Sequence, residues 1–185
     1  YFILKDLVFI KKIVSLPEIF SLKKWILFSS MAILFTSCGI YNFTGGSTGQ
    51  AKTFQVNFFQ NKAQLVEPGM DRDFTFYLQD LINNQTNLSL TDRNGDLVYE
   101  GEITNFTISP MAANSQQQAA QNRLSVTINV RFSNVFEPEK DFEKQFSHYY
   151  DFPANLQLSA VKSNAFEEIF ERIAQDIFNA SLANW

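Results

Sequence analysis

Apolar and polar residues alternate most regularly between Arg123 and Asn134. Leu124, Val126, Ile128, Val130 and Phe132 share one parity, and Arg123, Ser125, Thr127, Asn129, Arg131 and Ser133 the other. A period of two with one wet face describes a strand in an antiparallel sheet. After a turn at Glu137-Pro138-Glu139, Asp141–Phe152 repeats the pattern through Phe142, Phe146, His148, Tyr150 and Phe152. Upstream, Thr53–Phe59 predicts a strand with Phe54, Val56 and Phe58 on one face, and Leu88–Thr91 a shorter one. Leu97–Ser109 reads as a long strand whose parity slips: Leu97, Tyr99 and Ile103 lie on one side, Phe106 and Ile108 on the other. A bulge near Thr104-Asn105 would reconcile its halves. Asn94-Gly95, two positions tolerant of positive φ, predicts a hairpin into this strand. Pro110 is expected to end it, and Met111–Asn122, rich in Gln, Ala and Asn, reads as a long loop.

Two segments carry helical spacing instead. Past the break at Glu67-Pro68-Gly69, Phe74, Tyr77, Leu78, Leu81 and Ile82 predict a helix over Asp71–Asn84, with Asp71 and Asp73 at the positive end of its dipole. After Pro153, a broad stripe from Ala165 and Phe166 to Ile177 and Phe178 predicts a second over Asn164–Ser181, with Asn164 and Glu167 as a capping pair. The elements predict an α+β two-layer sandwich: a mostly antiparallel four- to five-stranded sheet with both amphipathic helices packed on one face.

The amino-terminal region follows a different logic. Lys23-Lys24 lead into an eleven-residue apolar run, Trp25–Phe35, which closes on Thr36-Ser37-Cys38-Gly39. That order is a bacterial secretory signal with cysteine at the cleavage point, where the thiol takes lipid. A transmembrane helix needs roughly 20 apolar residues, so the run is short for one. A buried core cysteine fits poorly with the polar, glycine-containing stretch Asn42–Gln50 that follows. Phe35 stands where such signals usually carry Leu, with Leu34 one position back. The expected organisation is an upstream over-extension at 1–21, a signal peptide at 22–37, a lipidated tether at 38–51, and a single domain at 52–185. The tether residues after Cys38 could extend at most ~40 Å.

Composition narrows the function. From Cys38 onward the chain has ten Lys or Arg against seventeen Asp or Glu, a net charge of −7. This argues against nucleic acid as a partner, because counterion release from phosphates needs a basic face. Cys38 is the only cysteine, so no intramolecular disulfide forms, and fifteen of the twenty phenylalanines follow it to fill a core. The chemistry is sparse. His148, the only histidine, sits on an alternating strand and reads as a packed residue, with no partner to complete a metal site. No nucleophile elbow accompanies it. Glu137, Glu139, Asp141 and Glu143 lack the spacing of a calcium loop and read as a solvated turn. No catalytic residue is assigned, and no cofactor is expected beyond covalent lipid on Cys38, diacylglycerol with an N-acyl chain.

Four features together resemble the LptE family of lipopolysaccharide-assembly lipoproteins, in its Bacteroidetes-type form. They are Cys38-Gly39-Ile40-Tyr41-Asn42-Phe43-Thr44-Gly45, the aromatic strand Thr53–Phe59, the segment Asn94–Ile103, and the closing Phe- and Ile-rich helix. The resemblance implies a two-layer sandwich anchored on the periplasmic side of the outer membrane. It implies an LptD-like β-barrel as partner, assembled and plugged by this protein while lipopolysaccharide is exported. If lipopolysaccharide is touched directly, Arg93, Arg123 and Arg131 are the candidate contacts. The alternatives are a pilot or auxiliary lipoprotein of another outer-membrane pore or lipid transporter, and a tethered hydrolase, for which no catalytic constellation is visible.

Overall fold

The computed structural model describes residues 47–111 and 120–183. The signal-like segment, Cys38, Tyr41, Phe43 and most of the Met111–Asn122 loop lie outside the described residues. The order is β1 (Thr53–Val56), β2 (Gln60–Asn61), α1 (Met70–Gln85), β3 (Ser89–Leu90), β4 (Leu97–Met111), β5 (Gln121–Asn134), a 3-10 turn (Pro138–Lys140), β6 (Phe142–Pro153) and α2 (Leu158–Leu182). Strands β4, β5 and β6 form an antiparallel meander, with Leu97 opposite Asn134 and Gln121 opposite Pro153. The sheet order is β3-β1-β4-β5-β6, and β2 follows β1 along the same side of β4. The three short strands run parallel to their neighbours. This is the α+β two-layer fold that the periodicity predicts, with five strands on the main path and β2 as a sixth.

The core forms where the apolar parity of β4, β5 and β6 meets both helices. Phe54, Leu78, Ile82, Leu97, Ile128, Val130, Ile169, Ile173 and Ile177 are fully buried. Phe59, Phe74 and Phe170 run edge to face at 5.1 and 5.4 Å, linking the β1–β2 segment, α1 and α2. Each such contact adds about 0.5–1.5 kcal/mol beyond burial. Among the described residues the buried side-chain polar atoms are paired, save the Asn61 Nδ2. The Thr75 hydroxyl donates to the Asp71 carbonyl at 2.7 Å and accepts the Phe59 N–H at 3.2 Å. The Tyr99 hydroxyl lies 2.9 Å from the Ser181 hydroxyl, which also donates to the Ile177 carbonyl at 2.8 Å. Burial pushes the Tyr99 phenol well above its ordinary value.

Several expectations are corrected. Asn94-Gly95 does not close a hairpin: β3 and β4 both run parallel to β1, which lies between them, with Phe54 in register with both Leu90 and Leu97. The chain therefore crosses over β1 on the side away from the helices. Asn94 takes φ 53, and a Cβ on Gly95 would come within 2.7 Å of the Gln55 Cβ and 2.8 Å of its backbone nitrogen. Only glycine allows that approach. Pro110 does not end β4, which pairs Pro110 with Asn122 and continues to Met111. Beyond β2 this strand has a neighbour on one side only among the described residues, so a missing N–H is tolerated. Asn164 does not cap α2. The helix begins six residues earlier, at Leu158, because Leu158 and Val161 extend the packed stripe, and its N-cap is Gln157.

The parity slips decide which residues face outward. The expected bulge in β4 is present: Ile103 pairs with Ile128 and Asn105 with Thr127, leaving Thr104 unmatched. A second slip was not expected. Val56 pairs with Tyr99 and Gln60 with Glu102, so Asn57, Phe58 and Phe59 oppose only Glu100 and Gly101. The extra residue carries Phe59, not Phe58, into the core. Phe59 packs where Gly101 has no side chain: a Cβ there would meet the Phe59 ring at 2.8 Å. Phe58 is left 56% exposed.

Ser47–Ala51, part of the stretch read as a tether, lies against the domain. The Ser47 N–H donates to the Leu182 carbonyl at 2.7 Å, satisfying one of the open carbonyls at the end of α2, and Ala51 is buried.

Candidate functional site

Both helices cover one face of the sheet. Among the described residues the opposite face carries the polar parity of β1, β4, β5 and β6, and its side chains are bonded to one another. Gln55 donates to Asn57 at 2.7 Å, Asn57 to Glu100 at 3.2 Å, and Arg131 to Glu100 at 2.7 Å. Arg131 also reaches Glu143 through Nε and Nη2, both at 3.4 Å, and Asn129 donates to the other Glu143 oxygen at 2.9 Å. The Gly95 N–H, on the crossing segment, donates to Gln55 at 3.3 Å. One lattice of planar amide, carboxylate and guanidinium groups thus spans four strands. Glu100 holds the Arg131 guanidinium above its ordinary value, while Asn129 and Arg131 hold the Glu143 carboxyl below its own.

Toward the other end of β5, Arg123 forms a two-pronged pair with Asp151, at 2.7 and 2.8 Å, and lies 3.6 Å over the Tyr149 ring. Arg123 keeps the Asp151 carboxyl below the usual range. Eight residues separate Arg123 from Arg131, about 27 Å along the strand. The structure therefore puts two of the three candidate arginines on one face but does not bring them together, and each is matched by carboxylate. Arg93 is exposed on the crossing segment and takes part in no ion pair among the described residues.

A groove of about 300 Å³ opens beside Arg131, bordered by Phe58, Asn57, Gln60, Asn129 and Glu143. Sequence reasoning missed Phe58, Gln55, Asn57 and Gln60 as surface residues of this face. The adjacent pair Phe58-Phe59 is the available signal, since a period of two cannot bury both. A larger open cleft of about 730 Å³ lies on the helix side between His148 and the polar flank of α2. Partial burial, then Arg172, lowers the His148 pKa, against Glu168 and Asp176, so the imidazole is neutral at pH 7. The acidic turn is engaged locally: Glu137 pairs with Lys140 at 2.8 Å, and Asp141 accepts the Asn134 N–H at 2.7 Å.

The domain is thus a two-layer sandwich that covers one sheet face with helices and presents a bonded polar lattice on the other. Residues 51–181 match the family described as LptE: Lipopolysaccharide-assembly, and the chain belongs to that family. The family consists of assembly lipoproteins that are not enzymes. No curated protein gives a significant match. Among solved structures, the hypothetical protein CT253 from Chlamydia trachomatis is 7% identical and shares the fold, with a TM-score of 0.51 over 72% of this chain and 99% of its own. The minor lipoprotein from Acinetobacter baumannii is 12% identical, with a TM-score of 0.42 over 72% of this chain and 97% of its own. The rare lipoprotein B from Shewanella oneidensis is 12% identical, with a TM-score of 0.41 over 68% and 89%.

Proposed function

We propose that this protein is an outer-membrane lipoprotein, acylated at Cys38, that assembles into an LptD-like β-barrel and plugs it while lipopolysaccharide is exported. Membership of the lipopolysaccharide-assembly family across 51–181 carries this reading. The polar lattice supports it physically: a wet barrel lumen presents polar walls, and a sheet face whose charges are already paired can lie against them without stranding a buried ion. Between Cys38 and Ser47 the chain could extend at most about 32 Å, so the lipid would hold the domain close to the bilayer on the periplasmic side.

Co-purification of the acylated chain in detergent tests the reading. A large heat-modifiable barrel, identified by mass spectrometry, is the expected partner. Recovery of a secretin or an inner-membrane transporter in its place overturns the barrel assignment. Metabolic labelling with a clickable fatty acid tests the anchor, because Cys38→Ala should abolish the label. For direct lipopolysaccharide contact, Arg93, Arg123 and Arg131 are the residues to replace together by Ala. Unchanged lipopolysaccharide binding by that triple variant removes them as contacts.

A further inference from the structure

We infer that the groove beside Phe58 binds a neutral hexopyranose, a sugar ring with free hydroxyls and no phosphate. Four observations converge on that chemistry. First, the extra residue between β1 and β2 turns an aromatic ring out onto a face that is polar around it. Bulges commonly re-aim side chains in this way. The ring presents a negative π-face, which attracts the weakly positive C–H bonds on the flat side of a pyranose.

Second, the groups around the ring are planar and already fixed. Asn57, Glu100, Arg131, Glu143 and Asn129 hold one another in a continuous chain of hydrogen bonds. Side chains ordered before binding lose little further entropy when a ligand arrives. Asn129 and Gln60 retain amide donor and acceptor capacity, and Glu143 retains lone pairs, a mixture suited to hydroxyls, which both donate and accept.

Third, charge selects against phosphate. Arg131 sits between Glu100 and Glu143, and the nearby Lys62 is paired with Glu102 at 2.8 Å. Three carboxylates against two cations leave the groove net negative, so a phosphorylated sugar would be repelled while a neutral one is not. Fourth, about 300 Å³ is the small end of the range for small-molecule sites, the right scale for one ring of a longer glycan. The inference goes beyond the barrel assignment and does not require it.

Saturation-transfer NMR on the full-length acylated protein, held in a zwitterionic detergent without sugar headgroups, tests the site. The probes are maltose, cellobiose and glucose 6-phosphate, together with the dephosphorylated, delipidated carbohydrate of lipopolysaccharide. At least one neutral probe should bind with Kd on the order of 1 mM, and glucose 6-phosphate should bind more weakly. Phe58→Ala and Asn129→Ala should each weaken binding about tenfold, while Phe76→Ala, an exposed ring on α1, should leave it unchanged. Unfolding curves establish that the variants remain folded. Preference for the lipopolysaccharide carbohydrate, or for a simple glucan, identifies the source of the sugar, and either sustains the site. Three outcomes overturn it: no signal from any neutral probe, equal binding by Phe58→Ala, or tighter binding of glucose 6-phosphate. All are read without the barrel, so they are separate from failure of the co-purification.

Discussion

Replacing Gly101 by Ala should be among the most damaging one-carbon changes in this protein. Gly101 lies on the inward parity of β4, opposite Val130. An added Cβ would fall 2.0 Å from the Asn129 carbonyl oxygen and 2.8 Å from the Phe59 ring. Overpacking a core ordinarily costs about 1–3 kcal/mol. Here the nearer obstacle is backbone, so β4 and β5 must separate locally and give up at least one ladder hydrogen bond, about 1 kcal/mol more. The expected loss is about 2–4 kcal/mol, a large part of a stability typically near 5–15 kcal/mol. For a domain of this size that lowers the thermal midpoint by roughly 10 °C. Urea unfolding followed by far-UV circular dichroism, on wild type, Gly101→Ala, Phe59→Leu and the double variant, measures it. Phe59→Leu removes the ring contact and leaves the carbonyl contact, so the double variant should remain about 2 kcal/mol below Phe59→Leu alone. If Gly101→Ala unfolds within about 0.5 kcal/mol of wild type, Phe59 does not sit over Gly101. The extra residue between β1 and β2 then disappears, and with it the reason that Phe58 faces outward.

The Tyr99–Ser181 pair should respond asymmetrically. Ser181→Ala strands a fully buried phenol hydroxyl and should cost about 1–3 kcal/mol, whereas Tyr99→Phe leaves Ser181 bonded to the Ile177 carbonyl and should cost about 0.5–1 kcal/mol. The opposite order in urea unfolding would refute the assigned partners. Asp151, held below its ordinary value of 3.8 by Arg123, stabilises the fold at neutral pH. That contribution is present above the unfolded-state value and disappears as pH falls through the lower folded-state value. Wild type should therefore melt above Asp151→Asn at pH 7, with the gap closing below about pH 4; a gap independent of pH would contradict the linkage. Arg123→Lys, which keeps the charge but loses the two-pronged geometry and the stacking on Tyr149, should lower the melting temperature at pH 7 in the same assay.

Periodicity carried most of the architecture because each long element buries a single face. β5 keeps strict alternation over its length, and the bulge at Thr104 is visible because apolar residues on both sides of it change parity. The slip before Phe59 is invisible for a local reason. Phe58 and Phe59 are the same residue type, so either can occupy the inward position, and only the room above Gly101 decides between them. Asn94-Gly95 marks a turn correctly but says nothing about which strands flank it in space. A strand forty residues earlier in the chain lies between β3 and β4, and no local signal encodes that. Asn164 and Glu167 have the chemistry of a capping pair inside α2, but the packing of Leu158 and Val161 against the core outweighs it and starts the helix at Leu158.

The candidate site was least legible where charge was read one residue at a time. Arg123 and Arg131 alternate with apolar residues on β5, so their place on the wet face follows from sequence alone. Their partners do not, because Asp151 and Glu143 come from β6 and Glu100 from β4, and only the register brings them within reach. A free arginine on a sheet face invites phosphate, whereas an arginine already chelated by carboxylate offers directed N–H groups with its charge largely balanced. Such a face favours hydroxyls, amides and ordered water over anions. It also suits prolonged contact with a polar wall, since docking there leaves each charge with the partner it already has. Of the three candidate arginines, Arg93 alone has no carboxylate partner among the described residues. Anionic recognition by this domain should therefore depend more on Arg93 than on either arginine of β5, and single Ala replacements in a lipopolysaccharide-binding assay would rank them in that order.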